Sequence, residues 1–166
     1  MNRVVYKYHS NKRTLITTLL YFVLLLAASV LIWLMYVGGY FSAWFISVVV
    51  AIIALIVISM PRRIIVDEQT LTIACVLEIV EIPITEIVYV RKVEPSEIRW
   101  TIPIFASPGF LGHFGYYLDL TTFDIVRLYA TERQNMVEIL DIYDDRYYLS
   151  CRQSDQLIEQ IISTVE

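Results

Sequence analysis

Asp141, Asp144 and Asp145 place three carboxylates within five residues, the densest group of metal- or proton-handling side chains in the chain. Clustered carboxylates can hold Ca²⁺ or do acid–base work. Here they sit in Tyr143-Asp144-Asp145-Arg146, which reads as a hairpin turn, and turns select Asp for its local backbone hydrogen bonds. Gly109, Gly112 and Gly115 form G-x-x-G-x-x-G. The dinucleotide fingerprint is G-x-G-x-x-G opening a helix whose N-terminus holds phosphate. This spacing differs and no helix is expected after it, so the glycines are assigned to turning and close packing. His113 is the only histidine outside the N-terminal arm. It titrates near neutrality when unperturbed, but no Ser or Cys lies near it in sequence to make a nucleophile–base pair. Cys75 and Cys151 are the only cysteines, too few for a disulfide scaffold, and with two distant histidines they form no metal set. No catalytic, cofactor or metal-binding residue is expected, so the chain reads as a non-enzyme.

The residues best suited to a contact surface are Arg91, Lys92, Arg99 and Trp100, a small basic and aromatic cluster. Such a cluster meets lipid headgroups or an acidic partner; the alternative is ordinary solvated charge at a strand end. Phe105, Phe110, Leu111 and His113 follow in the same unusual stretch and complete the candidate surface. Nucleic acid is a poor partner, because the region from Ile64 onward carries a net charge of −10.

The elements that carry these residues follow from composition. Of 166 residues, 57% are hydrophobic and 18% charged, against roughly 45–50% and 25% in typical soluble chains. Charge is split three ways: Arg3, Lys7, Lys12 and Arg13 lie in residues 1–13 with no acid, Arg62 and Arg63 follow later, and all 17 acidic residues come after them. Between lie 48 residues, Thr14 to Pro61, without a charge. A helix crosses the hydrocarbon core with about 20 apolar residues. The run is long enough for two crossings, at about 15–36 and 41–60, broken at Gly38-Gly39. The basic flanks place both ends in the cytoplasm by the positive-inside rule. Lys12, Arg13, Arg62 and Arg63 then meet the headgroups, and Trp33, Tyr36, Tyr40 and Trp44 gather near the outward turn as an aromatic belt. Ala43, Ser47 and Ala51 recur every four residues and would allow close helix approach, either within the hairpin or between copies. No ionisable residue lies within the run, so a proton or ion path has no support.

From Ile64 the pattern becomes period two. Short runs rich in Ile, Val, Thr and Tyr, separated by turn residues, indicate an antiparallel sheet or barrel of about seven strands. The runs are 64–68, 71–75, 79–84, 88–93, 116–120, 125–130, 136–140 and 147–151. Residues 94–114 interrupt them with three prolines, two glycines and an apolar set including Trp100, Phe105 and Phe110. A long apolar loop of this kind either folds back onto the barrel or touches lipid or a partner. Ser154 is the expected N-cap of a C-terminal helix that buries Leu157, Ile158, Ile161 and Ile162. With no linker after Pro61, the domain should sit tight against the membrane.

Several local motifs point the same way. Ile82-Pro83-Ile84-Thr85-Glu86-Ile87 resembles the "I-P-hydrophobic-x-x-I" step between strands of bacterial pleckstrin-homology (PH) domains. Pro108 to Tyr117 is similar to a glycine-rich "G-hydrophobic-hydrophobic-G-x-x-G" stretch of one bacterial PH family, and Tyr129-Ala130-Thr131-Glu132 to its "hydrophobic-A-T" strand end. Tyr147–Cys151 matches its "Y-hydrophobic-hydrophobic-S-P" segment, with Arg152 where the family often has Pro. The resemblance covers residues 64–166 and implies a PH-like barrel closed by the C-terminal α-helix. It further implies a binding or assembly module in a bacterial membrane protein; with the positive-inside reading, the arm 1–13 and the domain 62–166 are expected on the cytoplasmic side of the inner membrane. The expected role is to dock a partner protein or organise a membrane complex, as a heterologous contact or a homo-oligomer. The alternative is a lipid or small-ligand sensor using the apolar 99–114 stretch at the interface. Phosphoinositide-binding relatives use a basic first hairpin; here that turn is Asp67-Glu68-Gln69-Thr70, so no phosphoinositide pocket is expected.

Overall fold

The computed structural model describes residues 3–8, 12–35, 40–109 and 111–165. Gly38-Gly39, Tyr36 and Phe110 lie outside them, as does the side chain of Arg13.

Helices α1 (Lys12–Met35) and α2 (Tyr40–Ile58) carry the uncharged run. By length and composition one helix qualifies as a membrane span, over Thr14–Leu34, with none of it buried inside the protein. The described apolar stretch of α2, Ala43–Leu55, is shorter. The pair therefore has one clear span where two were expected. Leu15, Leu19, Leu31, Trp33, Val50 and Leu55 all stand exposed on the two helices. That much contiguous apolar surface is not left in water by a soluble domain. The two helices touch each other. On α2 the half-buried positions include Phe45, Val49 and Ile53, whereas Ala43, Ser47 and Ala51 stand on the exposed side. The small-residue stripe thus faces away from the partly covered side of α2.

Among the described residues there are ten strands, more than the seven or so expected and two more than the eight runs read from the sequence. These two lie where no strand was read. Residues 4–7 of the basic arm form β1 (Val4–Lys7), and the supposed loop 94–114 contains β6 (Thr101–Pro108). The first sheet has the order β1-β2-β3-β4, with β2 at Pro61–Val66, β3 at Thr70–Cys75 and β4 at Ile79–Pro83. The second has the order β5-β9-β10-β8-β7-β6, adding β5 (Ile87–Val93), β7 (His113–Asp119), β8 (Ile125–Ala130), β9 (Met136–Asp141) and β10 (Arg146–Ser150). All pairs are antiparallel except β8 with β10, which is parallel. The hairpin β9–β10 inserts itself beside β8, so β8 and β9 follow in sequence but are not neighbours.

One core lies between the sheets and under α3 (Ser154–Val165). It joins Tyr6 of β1, Ile64, Leu71 and Ile73 of the first sheet, Val137, Ile139 and Leu149 of the second, and Leu157 and Ile161 of α3. A second cluster, with Ile98, Tyr117, Leu128 and Met136, covers the other face of the second sheet. The Leu157 N–H donates to the Gln153 carbonyl, which puts Gln153 at the cap position and Ser154 inside the helix.

Strand β1 precedes the helices and β2 follows them, yet they pair directly, Val4 with Val66 through Lys7 with Arg63. The domain also ties down the near end of each helix. The N–H groups of Val76 and Leu77, in the β3–β4 turn, donate to the Met60 and Ile58 carbonyls at 3.1 and 3.3 Å. These satisfy carbonyls that a helix C-terminus otherwise leaves open. At the start of α1, the Thr14 hydroxyl donates to the Thr131 carbonyl at 2.8 Å, and Leu111 N–H donates to the Thr18 hydroxyl at 2.9 Å.

Candidate functional site

The stretch that sequence reading marked as irregular is an edge hairpin. The 3₁₀ turn Glu97–Trp100 leads into β6, and β6 pairs with β7 from Thr101–Asp119 to Pro108–His113. The prolines and glycines that disguised it have definite jobs. Pro103 and Pro108 sit on an edge strand, where a missing N–H is tolerated. Gly109, Gly112 and Gly115 all have positive φ, 112°, 142° and 110°. A Cβ on Gly115 would overlap the Phe105 carbonyl, so only glycine lets β7 approach β6 there.

This hairpin separates the expected contact residues into three places. Trp100, Ile102 and Ile104 stand exposed on the open edge of the six-stranded sheet. Phe105 is 82% exposed and borders an apolar groove against α2, shared with Ile52, Leu55 and Phe114. Leu111 and His113 lie at the base of α1, where Leu111 N–H meets Thr18. Phe110 lies outside the described residues. Arg99 is exposed beside Trp100.

Arg91 and Lys92 engage groups within the chain. The Lys92 ammonium is 2.7 Å from Asp155 of α3. Arg91 pairs through Nη1 with Glu97 at 2.8 Å and through Nε with Glu138. Glu138 is fully buried, and its Oε1 also accepts from the Tyr89 and Tyr148 hydroxyls at 3.2 Å each. The Arg91 contact to Oε2 is a charge pair without hydrogen-bond alignment. Burial alone would lower the Arg91 pKa, but the Glu97 hydrogen bond and the Glu138 charge more than offset it and hold it raised. Burial and the same carboxylate push the Tyr148 hydroxyl up. An ion buried this deeply is tolerated only when paired and hydrogen-bonded. Sequence reading missed Glu138; its single signal was a charge among the apolar residues of Met136–Leu140. Beside it a cavity of about 410 Å³ is lined by Arg91, Trp100, Arg146 and Tyr148.

The other chemistry-bearing residues are occupied structurally. Asp141 Oδ1 accepts the N–H groups of Tyr143 and Asp145, both at 2.9 Å, which is the turn that the sequence indicated. Among the described residues no three His, Cys, Asp or Glu side chains gather as a metal site. Cys75 and Cys151 are buried free thiols. Burial, with Glu78 adding, pushes the Cys75 thiol up to about 12, so it is a poor nucleophile. Arg62, Arg63 and Lys12 are exposed at the helix ends.

His113 is also strongly perturbed. Burial, with Arg133 adding, pushes its pKa down to about 4. Its Nδ1 is buried without a hydrogen-bond partner, and so is Nε of Arg133.

No curated protein and no solved structure matches the chain. The bacterial PH domain family matches residues 62–164, from the start of the strand after α2 to the end of the C-terminal helix. That range covers more than half of the chain, leaves out β1 and both apolar helices, and fits the two-sheet domain closed by α3. The chain belongs to the bacterial PH domain family.

Proposed function

We propose that this chain is a non-catalytic, membrane-anchored binding module whose β6 edge receives a partner protein. The non-catalytic part of this reading is supported by the family, since PH domains are in general binding modules. The observation that carries the reading is the exposed edge of β6. It presents Trp100, 62% exposed, and Ile102, 48% exposed, as an apolar surface. Pro103, Pro108 and the bulge between Pro103 and Phe105 block continuous strand addition along this edge, so the partner is received by the exposed aromatic and β-branched side chains.

The anchor is a two-helix hairpin with both ends in the cytoplasm. Support comes from β1 and β2. A single crossing between them would put paired strands on opposite faces of a membrane, so the number of crossings is even. With α1 as a span, α2 has to cross as well; its 19 residues extend about 28 Å at 1.5 Å per residue, close to the hydrocarbon thickness. The basic residues Lys12, Arg62 and Arg63 at the near ends favour the cytoplasmic side.

A second reading is favoured by Phe105. It borders the same apolar groove as Ile52 and Leu55 of α2, which supports reading the Phe105 region of β6 as a lipid-contacting wedge. One experiment separates the two. A photoreactive phenylalanine is placed at Trp100, Ile102 or Phe105 in the full chain and irradiated in cells. A discrete protein adduct from Trp100 and Ile102 supports docking. Adducts to lipid alone from all three positions support the wedge and remove the docking reading.

A further inference from the structure

We infer that the cavity at the base of α1 binds the zwitterionic headgroup of an aminophospholipid, its phosphate on Arg133 and His113 and its ammonium on Glu132. The inference rests on the reading of α1 as a membrane span. The cavity is about 220 Å³ and is walled by Thr14 and Thr17 of α1, Gly109 and His113 of the β6–β7 hairpin, and Glu132 and Arg133 of the β8–β9 loop. Three separate elements therefore converge on it.

Its chemistry is unfinished in the protein alone. Arg133 Nε and His113 Nδ1 are both buried and without hydrogen-bond partners. Both atoms are closed to a water-sized probe, so a ligand in the cavity would meet these side chains through their other nitrogens. A guanidinium is a hydrogen-bond donor only. Among the described residues Arg133 has no ion pair, although Glu132 lines the same cavity. An oxyanion in the cavity would supply its counter-charge. A phosphate diester oxygen fits, since arginine donates to phosphate readily. Glu132 opposes a purely anionic ligand. It accommodates one that carries a cation a few atoms from the phosphate, as the primary ammonium of an ethanolamine headgroup does.

Position argues for a lipid source. The candidate span begins at Thr14, which is itself a wall residue. The cavity therefore lies level with the headgroups at that end of the span. Gly109 keeps the wall open. A Cβ there would sit 3.4 Å from Thr17 Cγ2 and 3.5 Å from His113 Cε1, in a backbone conformation with φ of 112° that side chains disfavour.

The test uses the full chain in a neutral detergent, freed of native lipid. Thermal midpoints are read against dihexanoyl phosphatidylethanolamine, phosphatidylcholine, phosphatidylglycerol, free phosphoethanolamine and inorganic phosphate. The expected order is phosphatidylethanolamine well above phosphatidylcholine and phosphatidylglycerol, with inorganic phosphate weakest. Arg133→Gln should weaken all phospholipids at least tenfold, while Arg133→Lys keeps part of the binding. Glu132→Gln should erase the preference for the ethanolamine lipid without abolishing binding. Equal response to the three lipids, no response to any, or inorganic phosphate matching the lipid would each overturn the proposal. A variant that unfolds is replaced by its conservative partner, Arg133→Lys or Glu132→Asp, and the lipid order is read on that protein. Carbonate extraction of native membranes separates this failure from failure of the anchor. Release of the chain into the soluble fraction defeats the anchor reading, whereas retention with no headgroup preference defeats only the headgroup site.

Discussion

Replacing Glu138 by Gln keeps the shape of the buried side chain and leaves an oxygen to accept from Tyr89 and Tyr148. It removes the charge that faces Arg91. Removing one member of a buried ion pair generally costs about 3–5 kcal/mol, because the survivor is stranded. Here the two members differ sharply: the Arg91 side chain is 47% exposed and keeps Glu97, while Glu138 is 0% exposed. Water and Glu97 can take up much of the orphaned arginine charge, so Glu138→Gln should cost about 1.5–3 kcal/mol. Arg91→Gln strands the carboxylate in the interior and should cost more, about 3–5 kcal/mol. At roughly 4–8 °C per kcal/mol for a domain near this size, Glu138→Gln should lower the thermal midpoint by about 6–24 °C. The assay is thermal unfolding of the detergent-solubilised full chain, followed by the β-sheet circular dichroism signal, for both single variants and the double variant. The double variant should lose less than the sum of the singles, since the pair is broken once. A Glu138→Gln midpoint within 2 °C of the parent, or a larger loss for Glu138→Gln than for Arg91→Gln, would refute the reasoning.

Gly115→Ala should cost at least about 3 kcal/mol, from a φ of 110° and the overlap with the Phe105 carbonyl; an unchanged denaturation midpoint would show that β7 does not approach β6 this closely. Thr18→Val removes the acceptor for Leu111 N–H and should destabilise by about 1–2 kcal/mol, with faster amide hydrogen exchange confined to residues 109–113. His113 sits in a cavity with Arg133 and Glu132, and its pKa falls from 6.5 to about 4 on folding. The unfolded chain then binds more protons between those values, so this contribution is complete above about pH 6.5 and is lost as pH falls toward 4. Partial exposure limits it to about 1.5–3 kcal/mol, and in lipid-free detergent His113→Gln should flatten the stability profile between pH 6.5 and 5 relative to the parent. Parallel profiles would sink that account.

The fold was legible where one physical rule governed a segment. The uncharged run, the period-two strands from Ile64 and the spacing of Leu157, Ile158 and Ile161 each reflect a single burial pattern, whereas Ile162, expected on the same face, stands 46% exposed. The chain was misread where two rules competed. Val4-Val5-Tyr6 forms an edge strand with Tyr6 in the core, but Arg3 and Lys7 around it look like a membrane-flanking arm. In β6 the prolines argue against a strand, and only the unpaired side of an edge makes them compatible with one. The parallel β8–β10 pair depends on insertion of the β9–β10 hairpin, which leaves no local pattern. For the site, the oddity of their surroundings singled out Trp100 and Phe105 but left open whether that stretch covers the barrel or faces outward, which only the edge position of β6 decides. The internal pairing of Arg91 and Lys92 was not, because Glu138 and Asp155 are 47 and 63 residues away from them in sequence.

The central claim is that the helices form a two-span hairpin returning both flanks to one domain on the cytoplasmic face. Single cysteines test it directly in a Cys75→Ala, Cys151→Ala background. Lys7→Cys lies in β1, Tyr40→Cys at the start of α2, 94% exposed in the parent, and Arg152→Cys just before α3. A membrane-impermeant maleimide applied to intact cells should label Tyr40→Cys alone, with Lys7→Cys and Arg152→Cys reacting only after permeabilisation. Labelling of Lys7→Cys and Arg152→Cys from opposite faces, or of all three from the same face, would contradict the account.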